Sequence, residues 1–100
     1  MDIGKYVIVR SSPSGCWAGT LVSINDKTVE LKDARRLWRW WSAKGVSLSG
    51  VATDGLRQDK LKECRIATPV ATAVIFEVCE VLKVSERARA SIEAQEALVA

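Results

Sequence analysis

The chain of 100 residues contains no histidine, which removes the side chain best matched to proton transfer near neutral pH and the commonest metal ligand. Its three cysteines, Cys16, Cys64 and Cys79, lie far apart with no Cys-x-x-Cys pair. Neither a zinc site nor a disulfide framework is indicated, and no metal, cofactor or catalytic residue is assigned. Glycine and proline number only 6 and 2, which excludes collagen-like and low-complexity chains. No apolar run approaches the roughly 18 to 20 residues needed to cross a bilayer. Met1-Asp2-Ile3-Gly4-Lys5 also lacks the basic-then-apolar layout of a signal peptide. The expectation is a cytoplasmic protein without membrane association. Its serines have neither a Gly-x-Ser-x-Gly elbow nor a histidine base, so the reading is non-enzymatic.

What the sequence does hold is 48% hydrophobic and 27% charged residues, enough for one folded domain over residues 1–100. A chain this short buries a modest share of its surface, which favours self-association, and a homo-oligomer is expected. The net charge of +3 is unevenly spread. Residues 1–34 balance, residues 35–65 carry eight cations against three anions, and the remainder carries three against five. The middle third is therefore suited to holding an anionic partner at short range.

The pattern predicts an α+β fold: a small antiparallel β-sheet or partly open barrel with one short helix and a C-terminal helix. Lys5–Arg10 is β-branched and enters the turn-rich Ser11-Ser12-Pro13-Ser14-Gly15. Residues 17–24 and 27–32 flank Asn25-Asp26 as a hairpin turn, which would set Val22 against Val29 and Thr20 against Leu31. A tight turn at Asp33-Ala34 would lead into a third strand through Trp41, although periodicity alone leaves a short helix open. Ser47 caps a short helix closed by Gly55. Residues 56–69 read as a loop and 71–84 as the strongest strand. Ser85 caps a helix reaching Leu98.

Three of the four tryptophans and three arginines fall in Arg35-Arg36-Leu37-Trp38-Arg39-Trp40-Trp41. An indole offers a flat apolar face, and a guanidinium offers forked donors for phosphate. Trp38 and Trp40 are candidate stacking residues, with Arg35, Arg36 and Arg39 as phosphate ligands. Ser12, Ser14 and Ser47 are candidate polar contacts. Against this stand plainer roles: tryptophans filling a core, serines in an ordinary turn, and Ser47 as a helix cap.

Lys5-Tyr6-Val7-Ile8-Val9-Arg10, Ser14 to Gly19, the Ala34 to Trp40 block and Ser47-Leu48-Ser49 together resemble a family of small, functionally uncharacterised proteins of tailed bacteriophages and prophages. The resemblance implies a phage origin and a host-cytoplasm or virion location, and no mechanism. The function expected is a non-enzymatic protein binding an anionic, nucleotide-type ligand, such as a host defence signalling nucleotide that it would sequester. The alternative is a minor virion or assembly protein whose Trp/Arg block is a subunit contact. Single-stranded nucleic acid ranks third, because +3 is a modest charge for it.

Overall fold

Tyr6, Val7, Ile8 and Val9 are all buried, although successive side chains of a strand point to opposite faces. The strand they form, β1 (Tyr6–Ser11), therefore needs apolar cover on both sides. The computed structural model, which describes residues 3–43 and 47–95, supplies it in two different ways. Strands β2 (Gly15–Asn25), β3 (Thr28–Arg39), β4 (Arg65–Ile66), β5 (Val70–Ile75) and β6 (Val78–Lys83) join β1 in an antiparallel sheet with α1 (Leu48–Asp54) and α2 (Glu86–Glu93).

On one face Tyr6, Ile8, Ala18 and Leu37 pack with Val51 and Ala52 of α1 and Ile92 of α2. On the other, Val7, Val9, Leu21, Val29, Leu31 and Ile75 form a cluster built from strands alone. The sheet runs β4-β3-β2-β1-β6, and β5 also pairs with β3. Strands β5 and β6 thus occupy opposite edges, yet only Phe76 and Glu77 join them. The sheet must curl to let so short a link reach. Ser11 Oγ donates to Phe76 O at 2.6 Å and Val78 N donates to Lys27 O at 2.8 Å, fastening the curl at the turns. The curl is not closed into a barrel. The architecture is α+β, as the pattern predicts.

Several local expectations are corrected. The β2–β3 turn is Asp26-Lys27, with Asn25 opposite Thr28 and Asp26 at φ 56°. Leu21 faces Leu31 and Ile24 faces Val29, so Val22 falls in a bulge and is exposed. This register buries Val29 and Leu31 completely, which the expected one does not arrange. Asp33, at φ 52°, marks a bulge inside the continuous β3, not a turn before a new strand. Strand β3 ends at Arg39, so Trp40 and Trp41 lie beyond it. Residues 56–69 contain a 3-10 turn (Gln58–Glu63) and β4. The expected strand 71–84 is two strands, broken where Glu77 takes φ 55°. Both helix caps stand as predicted: Ser47 accepts from Gly50 N and Ser85 from Ala88 N. The expected stretch of helix over Glu96–Leu98 lies outside the described residues, as does Lys44.

Gly19 sits opposite the Asp33 bulge of β3, where a Cβ would lie 3.0 Å from Lys32 O and 3.1 Å from Ala34 Cα. Both obstacles are backbone and cannot rotate away. Gly19→Ala is expected to destabilise the fold by about 1–3 kcal/mol in urea denaturation, whereas Gly4→Ala meets open space around the added carbon and costs only the backbone strain of a side chain at φ 84°.

Candidate functional site

The alternation of β3 gives neighbouring arginines opposite surroundings. Arg35 and Leu37 face the helices; Arg36 and Trp38 face the other way. Arg35 is only 4% exposed. Its Nε donates to Ala67 O at 2.8 Å and its Nη1 to Ile92 O at 2.7 Å. Ile92 is in the last turn of α2, where a cation is favoured; its carbonyl also accepts from Gln95 N at 3.1 Å. The guanidinium thus braces β3 to the end of α2 and to the segment after β4. Burial lowers its pKa, partly offset by Tyr6.

Arg36 lies between two indoles, its Cζ 4.2 Å from the Trp38 ring centroid and 5.8 Å from that of Trp17, which stands opposite it on β2. Trp17 is fixed by its own Nε1, which donates to Ser14 O at 2.9 Å. Gly15 makes room: at φ 83° it suits glycine, and a Cβ there would come within 3.1 Å of Arg36 Nη2. Among the described residues the Arg36 guanidinium has no hydrogen bond or ion pair, so its in-plane donors are unspent. Trp38 is 57% exposed. At the same end of β3, exposed Arg39 pairs directly with exposed Arg65 of β4. Like charges opposite each other are unfavourable unless an anion or solvent separates them.

The expected site residues therefore divide. Arg36, Trp38 and the Ser12–Ser14 turn converge at one end of the curl, with Arg39 beside them. Ser14 N donates to Ser11 Oγ, so part of the turn's amide capacity is already used. Arg35 is a brace, Ser47 caps α1, and Trp40 packs against the helix-side cluster. Trp17, Gly15 and Arg65 join the first group. Composition could not have selected them, because only the β2–β3 and β3–β4 pairings bring them to the Arg/Trp block. Among the described residues no group of three His, Cys, Asp or Glu could hold a metal ion, and no helix is long and apolar enough to cross a membrane.

Tyr6 lies beneath Arg89, whose Cζ is 5.0 Å from its ring centroid, and its buried hydroxyl has no hydrogen-bond partner among the described residues. Burial, and then the charge of Glu93, push its pKa up to about 12.

Two outcomes follow for the arginines and for Tyr6. Arg35→Leu removes two charge-assisted hydrogen bonds, leaving Ala67 O without this donor while Ile92 O keeps Gln95 N, and is expected to cost about 2–4 kcal/mol in chemical denaturation, while Arg36→Leu costs under about 1 kcal/mol. Tyr6 is the single tyrosine, so tyrosinate absorbance reads it directly. A folded pKa above the unfolded one gives stability that is intact below about pH 10 and lost as pH rises through about 12. Tyr6→Phe should abolish that component of the alkaline stability profile.

Residues 4–92 match the model of a family described as a domain of unknown function (DUF6948). No curated protein and no solved structure matches the chain. The match takes in all six strands, α1, and α2 except for its last residue, Glu93, and on that basis the chain belongs to the DUF6948 family.

Proposed function

We propose that the Trp17–Arg36–Trp38 surface binds an anionic, nucleotide-type ligand and that the protein performs no chemistry on it. The observation that carries this reading is the Arg36 guanidinium: flanked by indoles at 4.2 and 5.8 Å, with no protein acceptor among the described residues. A cation stacked on rings keeps its N–H groups in the plane, directed outward, which is the geometry for a phosphate or carboxylate. One face of Trp38 is covered by Arg36, and its exposure leaves area for a base. Arg39 and Arg65 add positive potential at the same end. In a protein of phage origin, the consequence of such binding would be withdrawal of a host signalling nucleotide.

A second reading has its own support. Exposed Trp38 is accompanied by exposed Val70, Val74 and Phe76 on the edge strand β5 and its turn, a composition suited to a contact between copies.

Isothermal titration of the folded protein against a panel of cyclic and linear nucleotides tests the first reading. Binding to at least one member is expected, with Trp38→Ala and Arg36→Gln each weakening it tenfold or more, about 1.4 kcal/mol. An absence of heat across the panel would sink it. Light scattering separates the second: a Trp38→Ala variant of altered mass would assign the indole to a subunit contact.

A further inference from the structure

Strands β5 and β6 form opposite edges of the sheet, and the two edges are guarded unequally. Strand β6 carries Glu80 and Lys83, and its pairing with β1 shifts register between Arg10 and Ser11. Charge and irregularity of this kind keep an outer strand from recruiting another chain. Strand β5 has neither: Val-Ala-Thr-Ala-Val-Ile holds no charged residue and keeps one register against β3 from Val70 to Ile75. Among the described residues β5 pairs with β3 alone, so the backbone donors and acceptors on its far side are unspent. Val70, Val74 and Phe76 are exposed beside them.

The order of residues along β5 indicates what fits this edge. Val70-Ala71-Thr72-Ala73-Val74 reads the same in both directions. Turned about a two-fold axis through Thr72, a second copy of the strand lies antiparallel to the first. Val70 then meets the partner's Val74, Ala71 the partner's Ala73 and Thr72 the partner's Thr72. Directly opposed residues of an antiparallel pair share a face, so branched side chains meet branched ones and small meet small at every position. An isologous contact requires such self-complementarity. Phe76 prolongs the apolar contact past the end of the matched run. Each copy has one such edge, so the association closes at two.

We propose that β5 pairs with β5 of a second copy, joining two sheets into one across an axis at Thr72. The inference rests on the contact between copies drawn above from the exposed side chains, and gives that contact a register and a symmetry.

Sedimentation of the full chain over a concentration series reaching the millimolar range, together with amide hydrogen exchange, tests it. The mass should rise from one copy to two, and protection of amides within Val70–Ile75 should rise with it. Thr72→Glu sets like charges against each other on the axis, yet in the single copy the new carboxylate stands opposite Lys32 of β3, a favourable cross-strand pair. It should therefore fold, as circular dichroism will show, and weaken the dimer about tenfold or more. Trp38→Ala should associate as the unaltered chain does. A chain that stays monomeric throughout would overturn both the strand pairing and the contact between copies. A dimer that resists Thr72→Glu but dissociates with Trp38→Ala, or one that forms without added protection in β5, would overturn the strand pairing and leave the contact between copies standing.

Discussion

Burial of β1 on both faces is the constraint from which the rest of the architecture follows. A strand whose Tyr6 and Ile8 face one way and Val7 and Val9 the other gains roughly 1.5–3 kcal/mol for each large side chain removed from water, but only if both faces are covered. Helices α1 and α2 cover the first. Among the described residues no helix lies on the second, so the sheet bends over itself, and Ile75 and Val81 from its two edge strands meet the cluster on Val7 and Val9. The two-residue link between β5 and β6 is a consequence of that bend.

The same division into a helix side and a curl side decides what each charged residue is for. Arg35 falls on the helix side, where two charge-assisted hydrogen bonds to backbone carbonyls, each worth about 1.5–3 kcal/mol, commit it to structure. Among the described residues the guanidinium of Arg36, one residue later, has rings as its partners, and cation–π contacts at such a site are worth about 0.5–1 kcal/mol. The weaker hold leaves its donors open to an exchangeable partner. Between the two, the difference is one step of strand alternation.

Much of this was legible locally. The β-branched run of β1, the serine caps at Ser47 and Ser85, and the glycine at Gly55 depend on neighbours within a few residues, and the sequence displays them. The register of β2 against β3 did not follow from turn chemistry, because full burial of Val29 and Leu31 selects it and the bulge at Val22 accommodates it. The break at Phe76-Glu77 carries no glycine or proline, and only the destination of the two strands at opposite edges reveals it. Charge counted along the chain placed the positive excess in the middle third. In the Arg/Trp block, composition identified the residue types, but the phase of β3 determines which arginine remains available.

The opposite fates of Arg35 and Arg36 can be measured directly by the solvent exchange of their side-chain Nε–H protons in nuclear magnetic resonance spectra of the free protein. Arg35 should show a slowly exchanging Nε–H, protected by its bond to Ala67 O, while Arg36 exchanges at the rate of an open guanidinium and slows on addition of a phosphate ligand. A protected Arg36 in the free protein, or an Arg35 exchanging as fast as the surface arginines, would contradict the division of β3 on which the binding surface rests.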